Sequence, residues 1–550
     1  MPSTSPHPAL RRRFGRLGGL RIAAVIIGLL ALVPIAAIAL SITTPGGAGW
    51  RHLAETNLRS YISNSLSLMA ITGALSLTMG VCTAWLVTAT RFPGRRALEA
   101  ALVLPLAAPG YIIAYVYTDL LAVSGPVQTA ARALFGIETI TPVLPDIRSL
   151  FGAGLMLALV LYPYVYLLAR AAFLQQSASA YVAARTLGAS AWRAFYRVAL
   201  PSARPAIAGG AALVLMETLA DFGVADYFAI PTFATGIYRT WLGLGEITAA
   251  LKLAAIMLVF VALLVGAEAA ARRGRVDDGA RSGSMLEPAP LTGWRAFTAL
   301  AACALPVLFG FVIPTAILLL YAVTQGDPAS LADFAGYSWT SARVAIITAL
   351  LAALFATLLA YTQRLQPPKP LRILTRAATL GYALPGTLLA VGLLGPVGGL
   401  DRWLTGAARD LGLWDSGLIL SGTAALLIYA YLIRFLTVSY NTIGAALTKV
   451  APATDAAART LGAGQARLIT QIHLPLIRPG LAAALLLVFV DVMRELPATL
   501  ILRPFNMETL ATRVYRLASD ERLAEASTAA LAIIIIGLVP TLLLNRVGRK

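Results

Sequence analysis

One stretch of this chain occurs twice. Residues 183–205 read AARTLGASAWRAFYRVALPSARP and residues 457–479 read AARTLGAGQARLITQIHLPLIRP, gap-free and at a constant offset of 274. Arg185 falls on Arg459, Gly188 on Gly462, Pro201 on Pro475 and Pro205 on Pro479. A register held over that length marks a tandem duplication, so whatever the chain folds into is built twice.

Each copy lies between long apolar runs, and these decide the broad class. The chain is 58% hydrophobic with a mean hydropathy of +0.77, more apolar surface than a water-soluble domain can expose. Crossing a bilayer takes about 20 apolar residues per helix, and the runs reach that length. The expectation is an all-α integral membrane protein of about twelve spans in two tandem, pseudo-symmetric six-helix halves. The first half, 1–271, offers spans near 22–42, 61–89, 97–123, 150–173, 205–230 and 249–271. A cytoplasmic linker occupies 272–296, and its part 272–290 is rich in Gly, Arg and Asp without apolar periodicity. The second half, 297–550, offers spans near 297–323, 341–361, 373–395, 416–438, 479–502 and 523–545. The first run is too long for a signal-peptide core and reads as an uncleaved helix.

Charge placement sets an expected orientation. The formal charge of +19 is concentrated in short connectors, as the positive-inside rule requires, and nucleic acid is not its reason. With the N-terminus in the cytoplasm, Arg91, Arg95, Arg96, Arg364, Lys369, Arg372 and Arg376 all fall inside. So do both repeats, the linker and the tail with Arg546, Arg549 and Lys550, while Glu138 and Asp146 fall outside. Arg51, Arg59 and Arg132 run against the trend. Pro34, Pro105, Pro109, Pro163, Pro306, Pro314 and Pro385 read as kinks inside spans. Pro109–Gly110 matches Pro385–Gly386, now at an offset of 276.

Each repeated loop reads as a helix, a glycine stop, a second helix and a proline opening the next span. Gly188 suits a left-handed C-terminal cap, and Ser190 suits the N-cap of the second helix. Trp192, Phe195, Tyr196 and Ala199 are expected on one face, with Arg193 and Arg197 off it. In the second copy Leu468, Ile469 and Ile472 form the apolar face. Such a hairpin can lie on lipid or press on another protein. Cys82 and Cys303, each within an apolar run, read as small core residues rather than a disulfide. His7, His52 and His473 do not cluster at metal spacing, and His473 reads as structural. The lysines are Lys252, Lys369, Lys449 and Lys550; none follows a glycine, so the chain has no phosphate-binding Gly-Lys loop.

Polar residues at membrane depth are costly and mark pathways or pairs. Glu217 and Asp221 are four apart, and Asp491 and Glu495 repeat them at 274. On one helical face, and related by pseudo-symmetry, the four acids would line a shared path for a cationic substrate. Pairing of Asp491 with Arg494 is the structural alternative. Tyr115, Tyr117 and Asp119 are weaker pathway candidates.

The repeated loop resembles the EAA loop of ABC importer permeases: Ala183, Ala184, Gly188, Val198, Leu200 and Pro201 match its pattern, as do Ala457, Ala458, Gly462, Ile472, Leu474 and Pro475. The family glutamate falls at Val182 and Ala456, and Asp455 sits one place early. The segments 108–121, 219–241 and 494–526 are similar to ferric-iron permeases of the binding-protein-dependent class. That resemblance implies a type I importer permease in the bacterial inner membrane, with both halves fused and no enzyme activity of its own. It implies two copies of an ATP-binding subunit, carrying ATP and Mg, and a periplasmic iron-binding protein; this chain would bind no cofactor and no fixed metal. The coupling loops would be 174–204 and 439–478, docking through Ala184, Arg185, Leu187, Gly188, Leu200, Pro201, Ala458, Arg459, Leu461, Gly462, Leu474 and Pro475. Similar fused permeases carry thiamine, polyamines or phosphonates. An ion-gradient-driven secondary transporter also commonly has two six-span halves, but lacks paired EAA-like loops.

Overall fold

The computed structural model describes residues 8–137, 139–175, 178–273, 288–365, 367–412, 419–464 and 467–547. Glu138, Arg549, Lys550 and most of the linker 272–296 lie outside the described residues. The chain is a helical membrane protein: among the described residues ten helices are long and apolar enough to cross a bilayer. An eleventh span is a bent pair, Arg95–Ala107 with Gly110–Phe135, turned by 92°.

The bend has a local cause. Pro109 is extended (φ −60°, ψ 141°) and the residue before it, Ala108, is forced into the same region (φ −98°, ψ 125°). Pro385 repeats this with φ −56° and ψ 145°, so the helices Gly110–Leu121 and Gly386–Asp410 both begin at Pro-Gly. These two prolines therefore start helices instead of kinking them. The span expected at 373–395 is divided in the same way. Its first part is the amphipathic helix Lys369–Ala378, which buries Leu371, Thr375 and Ala378 on one face.

The chain forms two compact units, and each draws on both sequence halves. The first comprises residues 1–45 and 335–509, the second residues 46–334 and 510–550. The units and the sequence halves are thus different divisions of the chain.

In the first unit the helix Pro8–Ser41 packs on Lys369–Ala378 and Gly386–Asp410. Gly28 faces Leu374 so closely that a β-carbon there would stand 2.6 Å from its Cγ, and Tyr429 donates a hydrogen bond to the Leu30 carbonyl (2.7 Å). Leu359, Leu436, Ile443, Ile477 and Ala484 fill the core beside them. In the second unit Leu58–Ala89 packs along Leu150–Gln175, with Gly80 against Val165. Small residues permit this approach, because lipid supplies no hydrophobic drive and contact area must hold the helices. Tyr162, Tyr166, Phe173, Phe195 and Cys303 are buried together nearby. Cys82, by contrast, is exposed, which corrects its expected place in the core; both thiols are free. Helix Gly110–Leu121 is tied to the chain after residue 307 by Tyr117, donating to the Phe309 carbonyl (2.6 Å), and by Tyr321, donating to Asp119 (2.5 Å).

Candidate functional site

The two repeated loops fold alike. Helix Ala178–Thr186 ends at Gly188 (φ +87°), and helix Pro452–Thr460 ends at Gly462 (φ +80°). Only glycine adopts this left-handed conformation readily, and the turn lets the next amides close onto the helix: Ala189 N–H bonds the Ala184 carbonyl (3.0 Å), and Ala463 N–H the Ala458 carbonyl (2.9 Å). Ser190 caps the following helix by accepting from the Arg193 amide (3.2 Å). Each hairpin's second arm then passes through a π turn, Phe195–Ala199 or Leu468–His473, and runs on without a break as a membrane span. The arm and the span are one helix, so the spans begin earlier than 205 and 479.

At the tip, Leu187 and Leu461 are 87% and 86% exposed. Arg185, Gly188, Arg459 and Gly462 are exposed with them, while Ala458 is buried and Ala184 and Pro475 are half-buried. Leu200 and Pro201 are half-buried where the span begins, and Leu474 is exposed. The expected common face of Trp192, Phe195, Tyr196 and Ala199 is formed but only partly covered: its three rings meet one another, with centroids 4.6, 5.1 and 6.1 Å apart. Phe195 and Ala199 are buried with Ala194, whereas Trp192 and Tyr196 are exposed and meet edge to face, 4.6 Å between centroids.

The inner faces of the hairpins are anchored by opposite chemistry. In the first, Tyr181 and Phe195 pack on Trp85 at 5.6 and 4.8 Å between centroids. In the second, position 181 becomes Asp455, which accepts two hydrogen bonds from Arg364 (3.1 and 2.9 Å) and is bonded to His473 Nε2 (2.8 Å). His473 is buried and stacks on Tyr361, which occupies the place of Trp85 at the 276 offset. Burial works against ionisation of Asp455, but Arg364 and His473 outweigh it and hold the carboxyl below its usual range. Asp455 is therefore turned inward and committed to its own chain. Sequence spacing could not reveal this triad, because its members come from three separated helices.

The four acids do not act as two i,i+4 faces. Their helices stop at Ala220 and Met493, leaving Asp221 and Glu495 just beyond. Both then accept amides from the next short helix: Asp221 from Val224 and Ala225 (3.1 Å each), Glu495 from Ala498 and Thr499 (3.3 and 3.4 Å). A carboxylate satisfies orphan N–H groups there and holds the chain reversal after the span. Asp491 pairs with Arg494 at 2.6 Å. Glu217 is half-buried and has no hydrogen bond or ion pair among the described residues. Tyr115 is fully buried, and Tyr117 and Asp119 are engaged in the packing contacts above. Among the charges that escaped sequence reading are Asp226, shared by Arg239 (2.8 Å) and Tyr515 (2.7 Å), and Arg434, buried beside Glu495.

No protein-family model matches the chain. It is 24% identical over 540 residues to the Fe(3+)-transport system permease protein FbpB 2 of Haemophilus influenzae, spanning 96% of this chain and 97% of that protein. The ferric transport system permease protein FbpB of Actinobacillus pleuropneumoniae is 26% identical over 82% of this chain and 66% of its own length. The molybdenum transport system permease protein ModB of Haemophilus influenzae is 30% identical over 38% of this chain and 90% of its own. The chain belongs to the ABC importer permease family. A solved bacterial ABC transporter that imports alginate matches 44% of this permease at a TM-score of 0.32 and 17% identity, too weak a likeness to define its fold. As a multi-pass permease subunit, the chain moves a solute across the membrane and is not itself the enzyme of the system.

Proposed function

We propose that this permease carries ferric iron. The observation that supports it best is the end-to-end match, through both repeats, to a permease named for Fe(3+) transport. In this reading the sequence halves 1–271 and 297–550 are two permease domains, with the N-terminus and both hairpins in the cytoplasm. A periplasmic binding protein delivers the ion, and two copies of an ATP-binding subunit drive the cycle. The hairpins couple that subunit to the spans: exposed Leu187 and Leu461 enter an apolar groove on it, and each continuous arm passes the displacement into its span. Glu217 is the acid left to meet the passing cation, while Asp221, Asp491 and Glu495 position the segments beside the path. A second reading, transport of an oxyanion, is favoured by the 30% identity to the molybdenum permease.

Proteoliposomes containing the permease, its ATPase and labelled substrates test both. ATP-dependent uptake of ferric iron is expected, and Leu187→Glu with Leu461→Glu should abolish it with assembly of the spans intact. Uptake of molybdate or sulfate instead of iron would overturn the cargo, and unimpaired uptake in the double variant would overturn the coupling role.

A further inference from the structure

Arg434, in the helix Ala424–Thr448, is 9% exposed, and its Nε and Nη1 atoms have no hydrogen bond among the described residues. Glu495 Oε1 lies 3.6 Å from Nη1, close enough for an ion pair but beyond a hydrogen bond. That carboxylate is bonded elsewhere, by the amides of Ala498 and Thr499 and by the Thr499 hydroxyl (3.2 Å). The long helix Gly386–Asp410 begins at the same spot. A β-carbon on Gly386 would stand 2.5 Å from Glu495 Oε1, 3.0 Å from Arg434 Nη1 and 3.1 Å from the Ala498 nitrogen. The first-turn amides of a helix have no carbonyl within it and carry the positive end of its dipole. Thr387, the second residue of that helix, is fully buried with its hydroxyl unbonded among the described residues.

The donors here exceed what one carboxylate uses. A buried guanidinium with idle donors, an idle hydroxyl and a helix N-terminus form the donor set of an anion site, and the guanidinium repels a cation. Glycine at 386 lets the Glu495 carboxylate, the Arg434 guanidinium and the Ala498 amide crowd onto the start of this helix, so an anion enters only by displacing Glu495. We propose that this unit binds a small oxyanion, of sulfate or phosphate size, between Arg434, Thr387 and the first turn of Gly386–Asp410, with Glu495 as the resident group it displaces. The first repeat has no equivalent, since Thr387 falls on Tyr111 and Arg434 on Ala158 at the 276 offset. The site is therefore single. It does not depend on the ferric reading, because anion binding to the purified chain requires no iron.

The test is equilibrium binding of radiolabelled sulfate and inorganic phosphate to the full chain in lipid nanodiscs. Saturable binding to one site is expected. Glu495→Gln should tighten it about tenfold or more, Arg434→Gln should weaken it at least as much, and Thr387→Val should weaken it severalfold. Opposite effects from the two members of one ion pair are not what a merely structural pair gives. Absence of saturable binding in both wild type and Glu495→Gln would overturn the proposal, as would wild-type affinity in Arg434→Gln. Should Arg434→Gln not survive purification, Thr387→Val and Glu495→Gln decide the matter by their opposite signs. Uptake of the labelled anion into proteoliposomes would identify it as cargo, and binding without uptake as a resident ion.

Discussion

Replacing Asp455 by Asn should loosen the second hairpin and leave the first untouched. The carboxylate accepts two hydrogen bonds from Arg364 and one contact from His473, and all three partners are largely enclosed: the Asp455 and Arg364 side chains are 17% exposed and His473 1%. A hydrogen bond to a charged group is worth about 1.5–3 kcal/mol, and the contacts are coupled, so they do not add. Arg364 keeps its bonds to the Leu447 and Val450 carbonyls, and the amide oxygen of Asn still accepts one bond, which limits the loss. A cost of about 2 kcal/mol follows, equivalent to roughly a 30-fold rise in the opening equilibrium. Hydrogen exchange of residues 452–460 in the purified protein reads this directly, because protection reports local opening. Residues 178–186 serve as the internal control, since Tyr181 and Trp85 carry no charge. The pH dependence has a definite sign. A carboxyl held below its usual value stabilises the fold fully above about pH 4, and the contribution is lost as pH falls through the lower folded value. Wild-type protection of 452–460 should therefore be insensitive to this group at neutral pH and fail in acid. Acceleration of less than about threefold in the variant, or equal acceleration in both hairpins, would refute the reasoning.

Two glycine substitutions make sharper contrasts. Gly188→Ala and Gly462→Ala force a β-carbon into the left-handed region, where nothing nearby would clash, so each should cost about 1–2 kcal/mol in hairpin protection by exchange. Gly381→Ala should abolish recovery of folded protein by size exclusion, because its β-carbon would collide with the Ile433 carbonyl, whereas Gly395→Ala, in open space, should behave as wild type.

Much of this architecture was legible as pattern. The 274 offset located both hairpins, and the residue types at Gly188, Gly462 and Ser190 dictated their caps, because backbone conformation there is a local property. The ion pair of Asp491 with Arg494 was readable for the same reason, three residues apart on one turn. Hydropathy located the spans but not their starts: a π turn lets the hairpin arm continue into the membrane, and no apolar count registers a helix that crosses from water to lipid. Spacing places Trp192, Phe195, Tyr196 and Ala199 on one helical face, but it does not say how much of that face the neighbouring helices cover, and Trp192 and Tyr196 are left exposed. The acids at Asp221 and Glu495 were assigned to helical faces because nothing in their spacing announces that each helix ends one or two residues earlier. Arg364, Asp455 and His473 could be joined only by the fold.

The mixed ancestry of the compact units has a consequence for how the protein is made. Helix Pro8–Ser41 belongs with residues 335–509, so it enters the bilayer about 290 residues before its partners exist. At ordinary synthesis rates of about 5–20 residues per second it waits there for roughly 15–60 seconds. Its membrane segment Gly19–Ser41 has a mean hydropathy of 2.8, the highest among the described spans, which suits a helix that must survive alone in lipid. Span Ala424–Thr448, which carries buried Arg434, has the lowest at 1.3 and is synthesised when that helix is already in place to receive it. Separating the gene at the linker would break this order: neither product could complete a unit without borrowing helices from the other, so the fused chain secures its own stoichiometry during assembly.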